Sequence, residues 1–170
     1  MSRDELARAE IGRFEAGPGW DQSPAGATAE ALAGQVGDEL RRRLRIDKAH
    51  SGALDQLDLD ANRMEWQATA ETATSARHRI IIDGLVTWLG VSIEDLELGT
   101  EPGKRAVVDA ELRVSVRGAA GPVAKTTFSC LAQDVISAGL VSTTVRSCLD
   151  ECAQTLVDQV WAARFGASPP

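Results

Sequence analysis

At 170 residues the chain is long enough for one domain with a sizeable core, and its 44% apolar and 25% charged residues are ordinary for a soluble globular protein. A formal net charge of −7 argues against a nucleic-acid partner, which needs clustered Lys and Arg to hold phosphate, and an aromatic content of 4% with no Tyr offers no stacking platform for bases. No run of 18 apolar residues is present, so no transmembrane helix is expected.

Read from the N-terminus, Met1-Ser2-Arg3-Asp4-Glu5 is charged and shows no apolar leader core. The expectation is a cytoplasmic protein, or a periplasmic or outer-membrane-associated one whose leader was removed. Ile11-Gly12-Arg13-Phe14-Glu15 reads as a first strand within residues 5–16, bent at Gly12. Ser23-Pro24 or Thr28 then offers a helix start. Ala29, Leu32, Ala33, Val36, Leu40 and Leu44 recur at spacings of three and four, one apolar helical stripe. The run Arg41-Arg42-Arg43 with Arg45 has two readings: the last turn of that helix, where cations suit the macrodipole, or a patch for an anionic partner or membrane surface.

From Ala53 the period becomes two. Leu57, Leu59 and Ala61 alternate with Asp58 and Asp60, and after Asn62-Arg63 the phase flips to Met64, Trp66, Ala68 and Ala70. This predicts a strand with a bulge or break. Arg79–Val91, with Ile80-Ile81-Ile82, is apolar on both faces and predicts a central strand covered on both sides. In 105–117 the even positions Ala106, Val108, Ala110, Leu112, Val114 and Val116 are all apolar, and every odd position but Val107 is polar. That pattern is a strand with one buried and one wet face. Gly118–Pro122 turns the chain, and Val123–Gln133 returns. A second helix follows a Ser142-Thr143-Thr144 cap cluster and runs to about Phe165, with Val145, Cys148, Leu149, Cys152, Leu156 and Val160 as its stripe.

The predicted fold is α+β: a two-layer sandwich of a mostly antiparallel four- to five-stranded sheet with two helices on one face, in the order β-α-β-β-β-β-α. The first β-α-β step is expected to be a right-handed crossover. Residues 1–170 form one domain, with 1–6 and 166–170 flexible.

Motifs for chemistry fail at the positions that matter. Asp58-x-Asp60-x-Asn62 opens like a calcium loop, but Arg63 replaces the turn glycine and Thr69 the bidentate Glu. Gly99-x-x-x-Gly103-Lys104 is one residue short of a phosphate loop and precedes a strand. Three cysteines, Cys130, Cys148 and Cys152, define no complete disulfide framework. Buried packing is the first reading of Cys148 and Cys152, a bridge from Cys130 to one of them the second, and a zinc site with His50 or His78 the third. His50 falls in a polar loop after the first helix, and neither histidine accompanies a nucleophile signature. Glu94-Asp95 and Asp150-Glu151 read as surface charge. No catalytic, cofactor or metal residue is therefore assigned, and no cofactor is expected. The candidate interface or pocket residues are Trp20, Trp66, Trp88, Trp161 and Phe165, large apolar groups in loops, on strands and at a helix end.

Ile11–Glu15, followed by Ala31-Leu32-Ala33-Gly34-Gln35-Val36-Gly37-Asp38-Glu39-Leu40, resembles the opening of TolB-N-terminal-like and curli-secretion-like envelope domains. Arg79–Thr87 resembles their next strand, and the element order is similar to that of transport-accessory lipoproteins. The likeness spans about residues 9–46 and 77–133. It implies a non-catalytic envelope accessory or assembly role through protein–protein contacts, with a protein partner or a homo-oligomer, acting through a strand edge or helix face. The alternative is a module binding a lipid or other small apolar ligand in a pocket between helices and sheet, lined by Trp66 and Trp88.

Overall fold

The computed structural model describes residues 3–17, 29–61, 79–98, 101–118, 120–137 and 139–166 and, within them, the side chains outside 3–4, 51–61, 97–98 and 101–102. The elements are α1 (Arg3–Arg8), β1 (Ala9–Ala16), α2 (Ala29–Ala61), β2 (Ile80–Leu98), β3 (Glu101–Gly118), β4 (Gly121–Val135) and α3 (Val141–Phe165). The strands lie in the order β1-β2-β3-β4. β1 runs parallel to β2, and β2, β3 and β4 form an antiparallel meander. This is the expected α+β sandwich, with four strands and an additional short N-terminal helix.

The core is built where the period-two pattern puts it. Ala106, Val108, Ala110, Leu112, Val114 and Val116 of β3 are all buried. α2 packs on β1 and β2, α3 on β3 and β4, and the two helices touch each other. Their stripes, Leu32, Val36, Leu40 and Leu44 on α2 and Val145, Cys148, Leu156 and Val160 on α3, join the same cluster. Each fully buried Val or Leu contributes about 1.5–3 kcal/mol relative to exposure, so the shared face outweighs any single polar contact.

Three expectations are corrected. Residues 53–61 belong to α2, not to a strand. Alternation over Leu57, Leu59 and Ala61 is too short to decide a period, and lengthening a helix already anchored on the core costs less than nucleating a new element. Asn62–Ala70 lie outside the described residues. The crossover partner of β1 is therefore β2, reached through α2. Secondly, β2 is central but has no helix on its second face among the described residues. The strand carries a register shift between Val86 and Trp88, which moves the core-facing set from Ile82, Gly84 and Val86 to Leu89. A strand that changes phase reads as apolar on both faces without being covered on both. Thirdly, Ser142–Thr144 sit inside the first turn of α3: the N-cap is Leu140, whose carbonyl accepts from Thr144 Oγ1 at 2.9 Å. At the other end α3 stops at Gly166, whose φ of 84° favours glycine.

Close approach fixes two glycines of the sheet. A Cβ on Gly84 would stand 2.3 Å from the Phe14 ring, which covers that position from β1. A Cβ on Gly12 would stand 2.2 Å from Asp83 Oδ1. Asp83 uses that oxygen to accept the Arg13 backbone N–H at 3.0 Å, and its other oxygen takes Arg117 Nε at 2.7 Å. One carboxylate thus ties β1, β2 and β3 together at the irregularity between Ile11 and Phe14 that bends β1.

The face assignment makes a direct test. Leu112→Ala is expected to cost about 2–5 kcal/mol of unfolding free energy in urea titration, whereas Arg113→Ala, one residue along on the wet face, stays within about 0.5 kcal/mol.

Candidate functional site

The sheet leaves one broad face and one long edge without helical cover among the described residues. On β4 the odd positions point to that open face, and all of them from Val123 to Val135 are exposed. Three are aliphatic: Val123 is 71% exposed, Leu131 66% and Val135 45%. Leu131 stands opposite Asp109 on β3, and Val135 opposite Arg105. The half-buried Val107 lies between these two pairs, opposite Gln133. Singly exposed aliphatic side chains are ordinary on a protein surface, so what distinguishes these is their place on an edge strand whose other side already serves the core.

Trp88 belongs to this face. It is 38% exposed, is paired in register with Glu111, and its indole Nε1 donates to Asp109 Oδ2 at 2.6 Å. The ring crosses Gly90, where a Cβ would meet both Asp109 and the indole nitrogen. Trp88 consequently lies on the side of the sheet away from the helices and does not line a space between helices and sheet. Trp161 and Phe165 pack elsewhere. Trp161 is buried and stacks on Phe165 with ring centroids 4.2 Å apart, closing the end of the core. Trp20 and Trp66 lie outside the described residues. The five candidates are thus not one cluster. The aliphatic residues on β4 were missed in the sequence because they stand eight and four places apart among Lys125, Thr127, Ser129 and Gln133. The signal that could have found them is the odd-position apolar residue in a strand whose even positions already face the core.

Opposite charges bridge β2 and β3. Arg105 pairs with Glu94 directly across the strands, its Nη2 2.6 Å from Oε2. Lys104, in β3 rather than at a phosphate loop, is 3.8 Å from Asp95. On the helical side, Asp150 accepts from Gln35 Nε2 at 2.9 Å and Asp158 meets Arg43 at 2.7 Å, both bridging α2 and α3. His50 lies on α2 rather than in a loop, with Nδ1 2.9 Å from the Ile46 carbonyl. His78 lies outside the described residues, and among those described no group of His, Cys, Asp and Glu is arranged to hold a metal ion.

The cysteines resolve into a pair and a single thiol. Cys130 on the core side of β4 is bridged to Cys152 on α3, with Cα atoms 5.4 Å apart. Cys148, one turn earlier on α3, is free and buried. Burial pushes its thiol pKa up, and the negative charges of Asp134 and Glu151 push the same way. A thiol so placed is a poor nucleophile. The bridge fastens the edge strand to the helix layer. Persistent disulfides belong to oxidising surroundings, so it favours a compartment outside the reducing cytosol.

The two edges of the sheet differ. On the β1 edge, two cations of α2 take main-chain carbonyls: Lys48 Nζ donates to Ala9 O and Arg41 Nη2 to Gly12 O, each at 2.6 Å. On β4, Gln159 Nε2 reaches the Ser129 carbonyl at 3.0 Å, and Lys125 is the only cation along the strand. Charge and occupied carbonyls are how natural sheets discourage strand addition, and β4 has little of either.

Comparison with known proteins leaves the chain without a family. No family model matches it, and no curated protein matches. Among solved structures it is similar to a minor lipoprotein from Acinetobacter baumannii, at 13% identity and a TM-score of 0.42 over 96% of this chain and 98% of that one. No described helix is long and apolar enough to cross a membrane.

Two measurements check this geometry. Peptide mapping under non-reducing conditions should recover Cys130 joined to Cys152 and label Cys148 only after unfolding. Reduction should then cost about 3 kcal/mol, the chain-entropy value for a loop of this length, and a map with Cys148 in the bridge would overturn the assignment. The second concerns Glu39, whose carboxyl is held below the usual range by a hydrogen bond from Arg42, against opposing burial, with help from Arg43. A depressed folded-state pKa adds stability above the unfolded-state value that is lost as pH falls through the folded one. Glu39→Gln should therefore lower the urea midpoint at neutral pH and flatten the acid limb of the stability profile. Equal losses at all pH values would contradict this.

Proposed function

We propose that this chain is a non-catalytic accessory domain of the cell envelope, acting by adding an extended segment of a partner protein to the edge of β4. The observation that carries the reading is β4 itself: fifteen residues long, on the outside of the sheet, with Val123, Leu131 and Val135 exposed beside its outer main chain. Strand addition draws affinity from main-chain hydrogen bonds and specificity from alternate side chains, and so needs no residue motif. A heterologous partner is favoured over a second copy because each copy carries a formal charge of −7.

Support for the non-catalytic part comes from the open face. Asp109 is held by the Trp88 indole, Glu94 by Arg105, and Asp83 by Arg117 and a backbone N–H, so these acids serve as structural ties. Support for the envelope comes from the disulfide and from the resemblance over residues 9–46 and 77–133. The apolar-ligand alternative would use a different place from the one expected, since Trp88 lines a shallow depression on the open face with Thr87, Asp109 and Glu111.

The test is photo-crosslinking in the native cell with the full chain. A photoreactive residue at 123 or 131 should capture one defined protein, a residue at the exposed position 146 on α3 should not, and Leu131→Asp should weaken capture at 123. Adducts only with the chain itself would replace the partner by a second copy. Equal labelling at all three positions, or none, would remove the proposal.

A further inference from the structure

The arginines of α2 find no explanation at a helix end. Arg41, Arg45 and Lys48 lie well inside α2, which runs on to Ala61, and the macrodipole acts only within the last turn. Arg42 and Arg43 are accounted for by Glu39 and Asp158. The others turn toward β1. There they meet α1 and the start of β2 in a cleft of about 680 Å³ lined, among the described residues, by Arg8, Arg41, Arg45, Lys48 and Arg79, with Glu10 as the one carboxylate. Its apolar floor is Ala9, Ile11 and Leu44.

Five cations against one acid is a strong local excess in a chain whose formal charge is −7. The existing contacts relieve little of it. Glu10 takes Arg79 at 3.5 Å, and Asp38, outside the cleft, takes Arg41. Lys48 and the second arm of Arg41 bond neutral carbonyls, which orients them without cancelling charge. Arg8 and Arg45 pair with no carboxylate among the described residues. Capping the β1 edge explains Arg41 and Lys48 but leaves Arg8 and Arg45 unexplained, and Arg79 meets Glu10 only at 3.5 Å. Convergent cations around an apolar floor, in a volume suited to a small molecule, are the features of a site for a compact anion of high charge.

We infer that the cleft between α1, β1 and α2 binds a phosphate-bearing group, through Arg8, Arg45 and Arg79 with Lys48 and Arg41 held in place by the β1 main chain. The group is either a free phosphorylated small molecule or the headgroup of an anionic lipid. This site is separate from β4 and stands whether or not β4 takes a partner.

The experiment uses the full chain, the Arg8→Ser/Arg45→Ser double variant, and Lys125→Ser as a control far from the cleft. Pyrophosphate is titrated by calorimetry, and phosphatidylglycerol and phosphatidylcholine vesicles are tested by co-sedimentation. Saturable pyrophosphate binding that falls about tenfold or more in the double variant and is unchanged in the control supports a free phosphorylated ligand. Binding to phosphatidylglycerol but not phosphatidylcholine, with the same loss, supports a headgroup. The double variant should keep its thermal midpoint, since neither arginine holds an ion pair among the described residues, so a loss of binding reports the cleft. No binding to either probe, or equal binding by the parent and the double variant, overturns the inference.

Discussion

The row of small and medium aliphatic side chains on the inner face of β3 is the constraint on which the other elements depend. Ala106, Val108, Ala110, Leu112, Val114 and Val116 are buried in the core, with α3 seated on β3 and β4 and α2 beside it on β1 and β2. Alanines at 106 and 110 keep this floor low enough for the α3 backbone to approach. The Cys148 sulfur lies 4.0 Å from the Ala106 carbonyl and the Cys130 sulfur 3.8 Å from that of Ala110. Only at that depth does the helix bring Cys152 within bridging distance of β4.

With its inner face consumed by the core, the sheet has its outer face and its edges for function. The two edges are handled by different chemistry. β1 is the parallel edge, bent by an irregularity and guarded by cations from α2. β4 is antiparallel, long, fastened from behind by the disulfide and only lightly guarded from outside. The disulfide tethers β4 to the helix layer, which under the proposed strand addition would reduce the freedom lost when a second strand pairs with it. The same cations that guard β1 leave excess positive charge in the adjoining cleft, so edge protection and anion affinity share side chains there.

Much of the fold was legible in the chain. The β3–β4 hairpin follows from strict alternation and a Gly-Pro turn, and its observed register closes at Gly118 opposite Gly121. Both helical stripes are readable because spacings of three and four persist over several turns. The C-terminal part of α2 was not readable, since Leu57, Leu59 and Ala61 fit a strand as well as a helix when nothing beyond them is known. Nor was the side of Trp88, because a one-residue slip in β2 turns every later side chain over.

Local periodicity therefore determined the element types, the wet and dry faces of β3, and a two-layer α+β architecture, since these depend on neighbours a few residues apart. Tertiary structure alone decided which cysteines pair, which edge is open, and that Arg8, Arg45, Lys48 and Arg79 meet in one place. Those facts rest on side chains dozens of positions apart, and their proximity is set by how helices seat on the sheet, which no short window of sequence encodes.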